Sequence, residues 1–157
     1  MGIFAVSLLA VLALQPGAEP QQGGERIYQL KDLQTVTIRA NDKKITAWIM
    51  DSTSKRMEGL MFVRDKDMKM SQGMIFVFKS EEPQSFWMRN TLIPLDIIYI
   101  SARGVVRNVV HGKPMNETPL PSDGPAQYVL ELKAGGAKAF GIRRGLILFF
   151  PKLPAQD

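Results

Sequence analysis

Within ten positions, Trp87, Arg89, Asn90, Thr91 and Asp96 bring an indole, a guanidinium, an amide, a hydroxyl and a carboxylate into one stretch, FWMRNTLIPLD. If Phe86 and Met88 face a core, the strand pleat puts Trp87 and Arg89 together on the outer face. An indole beside a guanidinium can stack on a planar or sugar ligand while Asn90 and Thr91 hydrogen-bond its edge. The plainer alternative has Trp87 filling a hydrophobic corner and Asn90 forming a turn. Asp96 shares a strand face with Ile98 and Ile100, an expensive place for a carboxylate without a partner. Arg56 and Arg89 are candidate ion-pair partners, and the backbone N–H groups of residues 90–92 are the alternative. A functional Asp96 would be an acid/base group or a ligand anchor.

Glu117 stands in a Pro-rich stretch beside Thr118. With Asp96 it could form the general acid/base pair of a small hydrolase, provided that the two converge on one pocket. Otherwise it ties its loop to a backbone amide. The chain has no Cys and a single His, which excludes thiol nucleophiles, disulfides, zinc ribbons and multi-histidine metal sites. Any Ser-His-Asp triad would need His111, which reads more simply as a solvated or capping residue. Neither a metal nor a cofactor is expected. Gly135-Gly136 precedes a short helix but lacks the P-loop pattern and its Lys, so its anion signal is low. Adaptable core packing accounts for the nine Met residues.

Twenty Lys and Arg against fifteen Asp and Glu give a net charge of +5, which favours anionic surroundings such as an envelope surface. The charges are scattered as Lys43-Lys44, Lys55-Arg56 and Arg143-Arg144, without the basic run or aromatic pattern of nucleic-acid readers. Nucleic acid is therefore not an expected partner.

These groups need a scaffold. The chain of 157 residues, 45% apolar and 22% charged, has room for one packed domain. Residues 3–14 form an apolar run closed by Gln15-Pro16-Gly17. As a helix the run covers about 18 Å, against ~30 Å of bilayer hydrocarbon, so it reads as the core of a signal peptide over residues 1–18. No basic residue precedes the run and Pro16 lies close to the expected cut, so the signal is atypical. A start further upstream would supply the missing basic segment. Residues 19–32 have linker composition and residues 33–154 form the domain. The expectation is export to the periplasm or the extracellular space.

Residues 35–39 (TVTIR) and 44–50 (KITAWIM) alternate around a turn and read as a hairpin. Asp51, Ser52 or Thr53 then caps a helix expected to bury Met57, Leu60 and Met61 and to expose Lys55, Arg56 and Glu58. Gly59 costs about 1 kcal/mol relative to Ala inside a helix, which implies a close backbone approach or a helix end. Residues 74–78 make a buried strand, 80–84 a polar turn, and 96–100 with 105–110 a hairpin. Residues 111–125 hold four Pro and two Gly and read as a long loop. Residues 127–133, a short Gly-rich helix over 134–140 and a strand over 146–150 complete the chain. The predicted class is α+β: a single compact domain with a mainly antiparallel, strongly curved, barrel-like sheet and one or two short helices.

The stretch FWMRNTLIPLDI at residues 86–97 resembles the hallmark of the DUF192 (UPF0127) family, small and often exported prokaryotic domains without an assigned function. RMEGLMF at 56–62, GMIFVF at 73–78, and ETPLPS at 117–122 running on to YVLE at 128–131 agree with it in order. Together they span residues 45–145. Two places depart from the family pattern: Ser54-Lys55 replaces an acidic pair and Leu146 an acidic residue, which raises the positive charge. The resemblance implies a compact α+β domain with a curved sheet and brings no reaction with it.

The leading expectation is an exported binding or accessory domain, not committed to catalysis, for a small-molecule or polymer ligand. Its cleft would be lined by Arg56, Trp87, Arg89, Asn90, Thr91, Asp96 and Glu117. A carboxylate hydrolase using Asp96 and Glu117 is the first alternative, and a basic binder of envelope polyanions the second.

Overall fold

The computed structural model describes residues 24–156, so the apolar run at 3–14 lies outside the described residues. The alternating sequences at the start of the domain form β1 (Thr35–Ala40) and β2 (Lys43–Met50), an antiparallel hairpin whose turn residue Asn41 has a positive φ of 57°. A helix, α1 (Thr53–Glu58), follows, and then the long β3 (Gln72–Phe86) runs parallel to β2. β4 (Leu95–Ile100), β5 (Val106–Gly112) and β6 (Leu120–Lys133) pair antiparallel, and α2 (Gly136–Ala139) closes the order. The six strands form one sheet, β1-β2-β3-β6-β4-β5, with β2–β3 its only parallel pair.

Alternation divides the sheet into two apolar faces. Ile38, Ile45, Ile75, Ile98 and Leu130 face α2 and the C-terminal segment, while Phe76, Ile97, Tyr99 and Val129 share the other side with Leu60, Val63 and Met88. The sheet is curled without being closed. One segment touches both of its edges: Phe149 exchanges two backbone hydrogen bonds with Arg39 of β1, and Ile147 bridges Val105 beside β5. There Gly104 (φ 80°) admits the carbonyl of Leu148 where a Cβ would lie only 2.5 Å away.

Three expectations need correction. The polar turn at 80–84 is strand: β3 continues through it, with register breaks between Val77 and Glu82 and between Pro83 and Ser85. Ten residues of straight strand would separate Phe76 from Phe86 by about 33 Å. Their ring centroids stand 4.9 Å apart, so the irregular stretch folds β3 back on itself. The long loop at 111–125 shrinks to residues 113–119, because β5 runs to Gly112 and β6 starts at Leu120, which pairs with Phe86. Pro121 and Pro125 sit in that irregular ladder.

The third correction concerns α1. Ser52 caps it, accepting from Lys55 N–H, and it ends at Gly59, whose φ of 48° and ψ of −132° suit glycine alone. Met57, expected in the core, is 72% exposed, whereas Arg56 and Glu58, expected outside, are partly buried and bonded. A helix of six residues is placed by its caps and by these polar anchors more than by an apolar stripe. Glu58 is anchored by Arg26 at 3.4 Å and by the backbone N–H of Tyr28 at 3.0 Å. Arg26 also donates to the carbonyls of Gly59 and Met61. Residues 26–28, part of the stretch with linker composition, are thereby tied along α1.

Candidate functional site

A cavity of about 730 Å³ opens between α1, the folded-back β3 and the segment after it. Its size suits a drug-sized or smaller ligand. Phe76 and Phe78 come from the first half of β3 and Phe86 from its end, and the Phe86 ring meets Phe76, Phe78 and Tyr99 edge to face. Met57 of α1 and Leu60, just past the helix end, form one side, and Glu25 and Ile27 reach the cavity from the N-terminal strap.

Four of the residues singled out in FWMRNTLIPLD line this cavity: Trp87, Arg89, Asn90 and Thr91. Met88 between them is fully buried, which turns Trp87, 46% exposed, and Arg89 outward. The Arg89 guanidinium lies 5.4 Å from the centre of the Trp87 ring, a cation–π arrangement at the mouth. Asn90 holds a positive φ of 53°, and its carbonyl accepts from Phe62 N–H at 2.9 Å. Asn90 therefore makes the turn that the plainer reading gives it, while its side chain still faces the cavity wall near Met61. The Thr91 hydroxyl donates to the carbonyl of Arg89.

Arg56 is the fifth of the expected residues on the wall. Its guanidinium donates to the carbonyls of Asp51 and Val77 and to the Thr53 hydroxyl, and lies over the Phe78 ring at 5.3 Å. It buttresses α1 against β3 while presenting positive charge beside the aromatic wall.

Asp96 and Glu117 are not brought together. Asp96 is fully buried on the opposite face of the sheet, where it accepts hydrogen bonds from His111 Nδ1 at 2.7 Å and from Ala137 N–H at 2.9 Å. Its partners are thus neither Arg56 nor Arg89 nor the amides of residues 90–92. The amide that follows Gly135-Gly136 is occupied by this carboxylate. Glu117 is an exposed loop residue 3.9 Å from Arg89 Nε, outside the cavity lining. A hydrolase acting through this pair lacks its geometric requirement.

The cavity contains a carboxyl that sequence reasoning passed over. Glu131 of β6 lies in register between Met74 of β3 and Ile97 of β4, and only 4% of it is exposed. Among the described residues its carboxyl has no hydrogen-bond or ion-pair partner, yet it lines the cavity. Burial alone pushes its pKa up to about 8. The signal was present in YVLELK: Val129 and Leu130 are adjacent and both apolar, so both faces of this strand are covered and Glu131, on the Val129 face, must be buried.

A sequence model of a family described as DUF192, Uncharacterized ACR, COG1430, matches residues 35–149. Among solved structures, a protein described as a candidate transcription regulator from Sinorhizobium meliloti 1021 is 32% identical, with a TM-score of 0.68 over 81% of this chain and 98% of its own. A protein of unknown function from Novosphingobium aromaticivorans DSM 12444 is 30% identical, with a TM-score of 0.67 over 85% of this chain and 99% of its own. No curated protein matches the chain.

Proposed function

The chain belongs to the DUF192 family, and from that premise we propose that it is an exported binding or accessory domain whose ligand occupies the cavity between α1 and β3. The observation that carries this reading is the fold-back of β3, which builds an aromatic-walled space of about 730 Å³ with Trp87 and Arg89 at its mouth. Such a lining binds a mainly apolar molecule and orients it through a few polar groups. Binding is favoured over hydrolysis because Asp96 and Glu117 are engaged elsewhere. It is favoured over charge-only attachment to polyanions because the best-formed feature is an apolar concavity.

The test is a titration with 1-anilinonaphthalene-8-sulfonate, an aromatic anion that fits the wall and mouth. Saturable enhancement of its fluorescence at one site, lost in Ser85→Trp, supports the reading; Ser85 is an exposed wall residue whose replacement fills the space. Equal binding by wild type and Ser85→Trp would place the dye elsewhere and count against the cavity. Export is supported by the apolar run at 3–14 and the breakers after it. Mass spectrometry of the protein from its host should find an N-terminus within residues 19–24, and a soluble cytoplasmic chain retaining Met1 would overturn export.

A further inference from the structure

The cavity floor defines what its ligand must offer. Glu131 sits below aromatic and aliphatic side chains, with no cation or N–H group of the described residues bonded to its carboxyl. An ionised carboxylate in such a place loses most of its hydration and gains no partner in return, which favours the carboxylic acid. That form carries one O–H donor, which a ligand in the cavity can meet with an acceptor.

We propose that the ligand of this cavity presents an oxygen acceptor, a carbonyl or an ether oxygen on an otherwise apolar body, to the O–H of Glu131. The inference rests on the cavity reading above and deepens it. The remaining polar wall supports an acceptor over a cationic ligand. Arg56 places a guanidinium on the same wall, so an ammonium would meet like charge there. Glu58, the wall carboxylate nearest in sequence to that arginine, is already bound by Arg26 and by the backbone N–H of Tyr28.

Proton coupling follows from this arrangement. β3 brings Met74 and Phe76 against Glu131, neither of which titrates, and β4 brings Ile97 and Tyr99. The Tyr99 hydroxyl donates to the Leu120 carbonyl, and burial raises its pKa above the ordinary phenol value. Arg56 and Glu58 of α1, Arg89 at the mouth and Glu25 on the strap are the charged groups of the cavity wall. The raised pKa of Glu131, about 8, puts loss of its donor within reach of ordinary buffers.

Equilibrium dialysis with 2-acetylnaphthalene, its hydrocarbon counterpart 2-ethylnaphthalene, and 2-(aminomethyl)naphthalene tests this at about pH 6 and about pH 9.5, either side of the carboxyl's transition. The ketone should bind about tenfold more tightly than the hydrocarbon at the lower pH and lose that preference at the higher one. Glu131→Gln keeps an N–H donor in the same volume, so it should retain the preference at both values. Glu131→Met should lose it at both while still binding the hydrocarbon, and thermal melts of both variants check that they fold.

A ketone preference that persists at high pH in wild type overturns the inference, as does a preference for the amine that Gln abolishes. Equal binding of all three probes overturns it while leaving the cavity reading intact. Failure of all three to bind overturns both.

Discussion

Asp96 and Glu131 are near neighbours across the β4–β6 ladder, since Asp96 pairs with Leu132 and Ile97 with Glu131. The one-residue offset sends the two carboxyls to opposite faces of the sheet. On one face Asp96 meets His111 and an amide of α2; on the other Glu131 meets a cavity. The same functional group, a carboxyl, therefore serves as an internal clamp and as a candidate binding group, separated by the thickness of a single layer.

The clamp predicts the behaviour of Asp96→Asn. The carboxylate accepts from two donors, whereas an amide accepts on only one side: with its oxygen kept on Ala137 N–H, its N–H₂ can meet His111 Nδ1 only in the other imidazole tautomer, and both bonds lose the help of the charge. Stability should fall by about 1.5–3 kcal/mol, the range for hydrogen bonds to charged groups. Thermal melts at neutral pH measure it, and an unchanged or raised melting temperature would show that these bonds add nothing.

For Glu131 the pH dependence of stability has a definite sign. The folded carboxyl holds its proton up to about pH 8, while the unfolded one releases it near the ordinary value of 4.5. Between those values the folded state binds more protons, so stability falls as pH rises across this window, by up to about 1.4 kcal/mol per pH unit. Urea denaturation at a series of pH values should show this decline in wild type. Glu131→Gln should remove that component and be the more stable protein above pH 8.

Gly59 should tolerate no side chain. Its φ of 48° and ψ of −132° already penalise other residues, and a Cβ would stand 3.1 Å from the Phe76 ring. Gly59→Ala should cost about 1–3 kcal/mol. Gly59→Leu should cost more by adding overpacking. Denaturation midpoints that rise in either variant would show that the helix end relaxes freely.

The N-terminal strap predicts an effect of truncation. A chain starting at Leu30 loses the bonds of Arg26 to the Gly59 and Met61 carbonyls and its ion pair with Glu58. It should unfold cooperatively but be less stable than one starting at Gly24 by about 1.5–3 kcal/mol. Arg26→Ala in the longer chain should reproduce most of that loss. Matching melts for all three would show that the strap contributes no stability.

Regular alternation made the β1–β2 hairpin legible, because 35–39 and 44–50 each present one apolar face. The β4–β5 hairpin was legible for the same reason. Irregularity hid the rest. Glu81, Glu82 and Pro83 have turn chemistry, yet they lie in a bulged strand held by pairing with β6, a long-range partner that local sequence does not reveal. The prolines at 121 and 125 concealed the start of β6 in the same way. The mouth of the cavity was visible because Trp87 and Arg89 alternate with Met88. Its floor was harder to read, because Glu131 and Lys133 together resemble the solvated face of an ordinary strand, and only the adjacent apolar pair Val129-Leu130 marks the second covered side.

The clasp formed by residues 146–149 gives the domain a shared vulnerability. Unpaired strand edges invite pairing with other chains, and here one short segment caps parts of both, at Arg39 and at Val105. The two guards are not independent. A single local opening, or one proteolytic cut in the turn before residue 146, would bare both edges at once, converting a domain with protected margins into a particle with two sticky ends. Aggregation of this protein should therefore start from its C-terminal segment, even though the cavity and its charged rim lie elsewhere.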